Sequence, residues 1–216
     1  MSPRSMVEVS GRWASYYDHL MNTLFLGTYP RFMRGVTARM QIQPGDEILD
    51  LGSGTGRNAR LMLSAAPEVE RILGVDLSER MLARARRRCA GQPRIRFAKR
   101  RIEQPLPFAE EFDIVFVSFV LHGFEDEDKL RIIANARDAL RPGGSLWILD
   151  YDEFDLERTR QPIRWLFTHF ECELASEFLR LDLTAMLSGS GFGQFVTYQF
   201  MYGTVRLLKA VKQLGQ

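Results

Sequence analysis

The chain has 216 residues, of which 45% are hydrophobic, and a formal net charge of +2 at pH 7. This length and apolar content predict one α/β domain with a full core, residues 1–216. The near-neutral charge gives no reason to expect a nucleic-acid partner, and no apolar run approaches the roughly 20 residues of a membrane-spanning helix.

The chain begins with an aromatic-rich stretch of helical periodicity. Residues 8–40 read as two helical segments, interrupted near Gly27 and Pro30. We expect residues 1–40 to form a helical lid over the rest of the domain.

Strand and helix patterns alternate between residues 41 and 150. Strands are predicted at 47–51, 71–76, 95–98, 112–118 and 145–150. Helices are predicted over about 57–65, 78–89 and 126–140. This alternation is typical of a parallel sheet with helices on both faces.

The segment 151–216 follows a different pattern. A helix predicted over 176–188 precedes two strand patterns, 195–200 and 204–211, with no helix between them. Strands joined directly pair antiparallel. The predicted fold is therefore a Rossmann-like, doubly wound, seven-stranded mixed sheet with an antiparallel edge strand.

The most informative stretch joins the first predicted strand to its helix. The strand ends on Asp50 and breaks into glycines at positions 52, 54 and 56, with the spacing G-x-G-x-G. Such a loop lets a ligand lie against bare backbone at a helix N-terminus. Dinucleotide sites have the spacing G-x-G-x-x-G, and the different spacing in this chain disfavours an NAD-dependent dehydrogenase. The negative charge of Asp50 suits instead a ligand that carries an ammonium group.

A second carboxylate, Asp76, ends the second predicted strand. Parallel strands end at one edge of a sheet, so Asp50 and Asp76 are expected in the same crevice, where a carboxylate accepts the hydroxyls of a ribose. The alternative is that Asp76 only caps the following helix.

Four successive motifs resemble those of the class I S-adenosylmethionine (SAM) methyltransferases. They are LDLGSGTG at 49–56, GVDLS at 74–78, LPF at 106–108 and LRPGG at 140–144. The segments YDHLMN at 17–22 and GTV at 203–205 are similar to one subgroup, the ubiquinone/menaquinone-biosynthesis C-methyltransferases. The resemblance implies a SAM-binding core at 41–150 and an acceptor-side segment at 151–216.

The resemblance also implies roles for individual residues. Asp50 would lie near the amino group of SAM, Asp76 would hold the ribose hydroxyls, and Tyr17 would close over the methionine end from the lid. Further cofactor contacts are expected from Arg34, Gly52, Ser53, Gly54, Thr55, Gly56, Leu77, Met81, Arg101, Ile102, Ser118 and Val120. S-adenosylhomocysteine would be the product that SAM leaves after it has donated its methyl group.

The chain departs from the family pattern at two places. Many relatives have an aspartate shortly before LPF that receives the adenine amine, whereas residues 100–105 read RRIEQP here. This contact is left to backbone groups near Arg101 and Ile102. After the fourth strand, the quinone methyltransferases have an arginine where this chain has His122.

His122 is the best candidate for a general base, because histidine titrates near neutrality and this position lies beside the expected transfer site. The alternative is a histidine packed at a helix start. Tyr17 is the second residue assigned to the reacting centre, and His19 and His169 are weaker candidates for a base.

The expected methyl acceptor is a small or lipid-like molecule. Aromatic side chains that would cover an apolar pocket are Trp13, Tyr16, Tyr17, Phe25, Trp165, Phe167 and Phe170. In the segment 151–175, Trp165, His169 and Phe170 are predicted to contact the acceptor. C-methylation of a quinone ring is slightly favoured over N-methylation of a phospholipid amine, and a non-catalytic SAM-binding regulatory protein is the alternative from another class.

The two cysteines, Cys89 and Cys172, have no metal-ligand spacing, and no two histidines have it either. We therefore expect no metal site. The cysteine usage and the lack of a signal-peptide pattern favour a reducing, cytoplasmic location, with contact to a membrane surface left open.

Overall fold

The computed structural model describes residues 29–153 and 173–214. Its strands are β1 (Glu47–Leu51), β2 (Arg71–Asp76), β3 (Ile95–Lys99), β4 (Phe112–Ser118), β5 (Leu140–Tyr151), β6 (Phe192–Phe200) and β7 (Val205–Lys212). Its α-helices are α1 (Tyr29–Met40), α2 (Arg57–Ala65), α3 (Glu79–Arg88), α4 (Asp126–Ala139), α5 (Glu173–Phe178) and α6 (Leu183–Gly189). Single 3-10 turns follow β4, at Leu121–Gly123, and β6, at Met201–Gly203.

The seven strands form one sheet in the order β3-β2-β1-β4-β5-β7-β6. The first five pair parallel, and β7 pairs antiparallel with both β5 and β6. The predicted seven-stranded mixed sheet is confirmed. Its one antiparallel strand, however, is β7 in the interior, whereas the edge strand β6 runs parallel to β5.

Two element boundaries differ from the prediction. The strand after α4 begins at Leu140 rather than at 145, so the RPGG turn is part of β5, beside a register irregularity between Phe112 and Ile114. The helix predicted over 176–188 is two helices, because the side chain of Asp182 accepts a hydrogen bond from the backbone N–H of Ala185 at 2.9 Å and starts α6.

Helices cover both faces of the sheet. On one face, α1 and α2 pack against Ile48, Phe116 and Trp147. On the other face, α4, α5 and α6 pack against residues of the same strands that point the opposite way, such as Val115 and Ile148. Central strands buried on both faces are the reason for the almost wholly apolar patterns read from the sequence.

Helix α1 is the described part of the predicted lid, and it is fixed to this core. Its buried side chains include Tyr29, Met33, Val36 and Met40, spaced so that one stripe of the helix faces the sheet. Residues 29–40 therefore belong to the domain core rather than to a separate cover. The rest of the predicted lid, residues 1–28, lies outside the described residues.

Candidate active site

A cavity of about 230 Å³ lies at the carboxyl ends of β1, β2 and β4. These strands meet where the sheet order reverses direction, which is the usual ligand crevice of a doubly wound fold. The predicted site residues that line it are Gly52, Gly54, Asp76, Leu77, Met81, Ile102, Ser118, Val120 and His122. Residues from three strand ends are thus brought to one place.

The three loop glycines all have positive φ, but they meet different surroundings. A Cβ on Gly56 would lie 2.7 Å from the Phe97 ring and 2.9 Å from the Ala85 Cβ, and one on Gly52 would lie 2.5 Å from Val120. A Cβ on Gly54 would meet no atom within 4 Å among the described residues. Gly56 is therefore required by packing between the loop and α3, whereas Gly54 keeps cavity space open.

Asp50 lies beneath this loop and does not line the cavity. The residue is only 1% exposed, and neither carboxylate oxygen has a hydrogen-bond partner in the described structure. Burial, with a smaller contribution from the negative charge of Asp76, raises the pKa of Asp50 to about 7. A buried carboxylate without a donor favours a cationic partner or a bound proton.

This burial makes a prediction for stability without ligand. The Asp50 carboxyl has a pKa of about 7 in the folded protein and 3.8 as its ordinary value, so the folded state binds the proton more tightly. Stability contributed by the protonated group is therefore lost as pH rises from about 4 to about 7. We compare the unfolding free energy of Asp50→Asn with that of the wild type at each pH. The difference should increase in favour of the variant by roughly 2–3 kcal/mol as the pH rises from about 5 to about 7.5.

Urea unfolding of both proteins at a series of pH values measures this difference. Asp138→Asn is the matched control, because the Asp138 side chain is 61% exposed. A difference between Asp50→Asn and the wild type that stays constant with pH would contradict the expected titration of Asp50.

Asp76 holds the loop in place from the end of β2. Its Oδ2 accepts a hydrogen bond from the Gly54 N–H at 2.8 Å, and its Oδ1 accepts one from the Ser78 N–H at 2.8 Å. Burial raises the pKa of Asp76, against the lowering effect of these N–H donors. Ser78, not Asp76, is the N-cap of α3, since its side chain accepts from the Met81 N–H. A carboxylate has about four lone-pair sites, so the N–H donors of Gly54, Ser78 and Leu77 leave a site for a ligand hydroxyl.

Ser118 ends β4 and belongs to a short hydrogen-bond chain. The Tyr29 hydroxyl donates to Asn58 Oδ1 at 2.8 Å, and Asn58 Nδ2 donates to Ser118 Oγ at 2.7 Å. The chain connects the start of α1 with the cavity wall. It fixes the Ser118 hydroxyl in the cavity wall at the end of β4.

His122 lies in the 3-10 turn after β4 and is held by Asp150 from β5. The distance between His122 Nδ1 and Asp150 Oδ1 is 2.8 Å. The Asp150 side chain is fully buried, and the His122 ring packs 4.9 Å from the Tyr151 ring. The cavity therefore carries an imidazole with a fixed orientation at the end opposite to Asp76.

Several predicted cofactor residues lie away from the cavity. Arg34 is on the exposed side of α1, in a surface depression with Ala65 and Ala66 at the far end of α2. The Thr55 hydroxyl and carbonyl face α3, where both accept from Arg88. Ser53 is buried beneath the loop, and Arg101 pairs with Glu103, while Arg100 and Glu103 line the cavity. The family resemblance implied that these four side chains contact the cofactor, whereas in the structure each of them has other surroundings.

The other predicted site residues lie outside the described residues. They are Trp13, Tyr16, Tyr17, His19, Phe25, Trp165, Phe167, His169 and Phe170. Their roles at the lid and at the acceptor stay predictions.

Two functional candidates were missed by the sequence analysis. Asp150 is the penultimate residue of β5, as Asp50 is of β1, so its place at the carboxyl edge of the sheet was a usable signal. Asn58 had no such signal, because its contacts lie 29 and 60 residues away in sequence.

Two kinds of feature are absent from the described residues, a cluster of metal ligands and a membrane-spanning helix. Within residues 29–153 and 173–214, no group of three or more His, Cys, Asp or Glu side chains is arranged to hold a metal ion. In the same ranges, no helix has the length and apolar character needed to cross a bilayer.

Comparison with known proteins identifies a methyltransferase domain. Residues 48–144 match the family described as "Methyltransferase domain". An uncharacterized methyltransferase of Synechocystis is 28% identical over 207 residues, which cover 92% of this chain and 91% of that protein. The ubiquinone/menaquinone biosynthesis C-methyltransferase of Paraburkholderia phymatum is 31% identical over 142 residues, 65% of this chain and 57% of that protein.

Residues 48–144 carry a methyltransferase domain, and the chain is similar to SAM-dependent methyltransferases along most of its length. Among solved structures, Haemonchus contortus phosphoethanolamine N-methyltransferase 2, in complex with SAM, superposes with a TM-score of 0.68 at 16% identity, covering 85% of this chain and 53% of that one. A SAM-dependent methyltransferase from Aquifex aeolicus superposes with a TM-score of 0.64 at 17% identity, covering 83% and 89%. These two similarities concern the methyltransferase fold alone.

Proposed function

We propose that this methyltransferase transfers the methyl group of SAM to a small or lipid-like acceptor, with a ring carbon of a quinol as the favoured target. The observation that carries the proposal is one continuous cavity with different groups at its two ends. Gly54 and Asp76 line one end, and Ser118 and His122 line the other. A cofactor and an acceptor bound there would meet between them.

The residues at the loop end fit SAM chemically. The unpartnered carboxylate of Asp50 lies beneath the glycine loop, outside the cavity lining, and its negative charge would attract the ammonium group of a ligand. The open space at Gly54 admits a ligand against the backbone. Asp76 would accept the ribose hydroxyls, Leu77, Met81 and Ile102 would flank the adenine, and Glu103 is a candidate for its amine. When bound, SAM supplies an electrophilic methyl group on a sulfonium.

The quinol assignment rests on the similarity to quinone C-methyltransferases and on His122. Removing the proton from a ring hydroxyl increases electron density at the neighbouring ring carbon, which then attacks the methyl group. A histidine beside the acceptor is suited to this proton transfer at neutral pH. The apolar residues Phe119, Val120 and Phe124 line the same end of the cavity and suit an aromatic ring.

N-methylation of a phospholipid amine is the second candidate. A protonated amine must also lose a proton before it attacks, so His122 fits this reaction as well. The fold similarity to a phosphoethanolamine N-methyltransferase is consistent with it but concerns the fold only.

Mass spectrometry with methyl-deuterated SAM tests the proposal. The enzyme is incubated in parallel with a reduced naphthoquinone that lacks its ring methyl group, with phosphatidylethanolamine vesicles, and with a lipid extract. We expect the label on the quinol ring carbon. Label confined to the amine would favour the second candidate, and SAM binding without a labelled product from any acceptor would favour a regulatory SAM-binding protein.

A further inference from the structure

Asp150 is a buried carboxylate near the end of β5, and its hydrogen bonds suggest a role in orienting His122. Asp150 is 0% exposed, and its Oδ1 accepts hydrogen bonds from His122 Nδ1 at 2.8 Å and from the Tyr151 N–H at 2.9 Å. Its Oδ2 lies 3.4 Å from the His122 backbone N. One carboxylate thus contacts both the ring and the backbone of His122.

These contacts determine which ring nitrogen carries the proton. An ionised carboxylate only accepts hydrogen bonds, so Nδ1 of His122 must be the donor. In a neutral imidazole the other nitrogen, Nε2, then has the lone pair. The Tyr151 ring at 4.9 Å and the Phe178 ring at 6.5 Å pack beside the imidazole and oppose its rotation.

Two buried cations, Arg206 and Lys129, lie near the Asp150–His122 pair. Arg206 on β7 is the antiparallel register partner of Asp150, and it is 4% exposed. Its Nη1 contacts Glu153 at 3.0 Å and Asp152 at 3.5 Å. Lys129 Nζ and Arg206 Cζ lie 5.6 and 6.0 Å from the Phe178 ring, so two buried cations lie behind the ring that packs on His122.

We propose that Asp150 is a positioning residue that holds His122 as the Nδ1–H tautomer, with Nε2 as the base for the methyl acceptor. The inference rests on the proposed function for its catalytic consequence. The electron pair of the acceptor atom forms the new bond to the methyl carbon, and the pair of the broken carbon–sulfur bond stays on sulfur, giving neutral S-adenosylhomocysteine. The acceptor proton moves to Nε2 and then to solvent, and Asp150 stabilises the transient imidazolium.

The tautomer can be measured without any acceptor. Nitrogen-15 NMR of histidine-labelled protein distinguishes protonated from unprotonated ring nitrogens, and the His122 signals are assigned by their loss in His122→Gln. We expect unprotonated Nε2 in the neutral wild type. Unprotonated Nδ1 in the wild type would overturn the proposal, and this result needs no variant of Asp150 and no methyl acceptor.

Asp150→Asn tests the consequence for catalysis. An amide can donate to Nδ1, which reverses the tautomer and removes the lone pair from Nε2. We expect unprotonated Nδ1 in this variant, a fall in kcat of about 10²–10⁴-fold with the labelled acceptor, and unchanged SAM affinity.

Asp152→Asn is the matched control. Asp152 is also buried, two residues further along, and contacts Gln199 and Arg206, but it has no contact with His122 among the described residues. Its kcat should stay within about threefold of the wild type. Equal loss of kcat in both variants, or an unchanged His122 tautomer in Asp150→Asn, would overturn the positioning role. Absence of methylation with an intact tautomer switch would instead count against the proposed function alone.

Discussion

Gly54→Val should abolish SAM binding, with Kd raised at least about 100-fold, while the protein stays folded. The hypothetical Cβ of Gly54 meets no atom of the described residues within 4 Å, and Gly54 lines the cavity. A branched side chain therefore fills ligand space instead of clashing with the core. The φ of 53° at Gly54 adds a conformational cost of roughly 1–2 kcal/mol.

Isothermal titration calorimetry with SAM and S-adenosylhomocysteine measures the loss of binding, and thermal unfolding measures the cost in stability. Gly91→Val is the matched control, because Gly91 has a φ of 79°, an open Cβ position and no part in the cavity lining. Both variants should lose a few degrees in Tm, and only Gly54→Val should lose SAM. Unchanged SAM affinity in Gly54→Val, or binding of NADH by the wild type, would refute the cofactor assignment.

His122→Ala should lower turnover by about 10²–10⁴-fold and leave SAM affinity nearly unchanged. The imidazole lines the acceptor end of the cavity and is held by Asp150, so its removal affects proton transfer rather than the SAM contacts. Because a general base acts in its deprotonated form, the wild-type rate should rise with pH through a single transition that is absent in His122→Ala.

Steady-state kinetics with the labelled acceptor, with and without added imidazole, measure this role. Partial rescue of His122→Ala by imidazole is expected if the lost group is a base, whereas lost packing is not restored by a diffusible base. A variant that keeps at least about a third of the wild-type turnover would return His122 to a packing role, and positioning of the reactants would then account for the rate.

The fold was predictable where the signal is local. Short stretches of sequence predict the strand ends at Asp50 and Asp76, the glycine loop and the N-cap at Ser78. The strands and helices next to them begin and end close to the predicted residues. The interior position of β7 was not predictable from such stretches. It depends on which strand of the final hairpin pairs with β5, and this pairing joins residues more than 50 positions apart in the sequence, such as Tyr151 and Val205.

The candidate site was likewise predictable only where its residues belong to short local motifs. Motif spacing located the residues at the strand ends, but it did not separate Gly54, which faces the cavity, from Gly56, whose constraint comes from Phe97 on another strand. The pairing of His122 with Asp150 spans 28 residues and depends on the 3-10 turn after β4. Contacts of this kind follow from three-dimensional register, which one-dimensional patterns do not encode.

The place of β7 in the sheet has a consequence for biosynthesis. Of the seven strands it is the last to be translated, yet it lies between β5 and β6. Until Val205–Lys212 are made, β5 has a bare hydrogen-bonding edge, and that edge includes Asp150, the partner of Arg206 in the register. An incomplete nascent chain thus exposes an unpaired strand of the kind that chaperones protect and that aggregation exploits. A polypeptide stalled before Val205 would be cleared as a misfolded chain rather than persist as a weak methyltransferase.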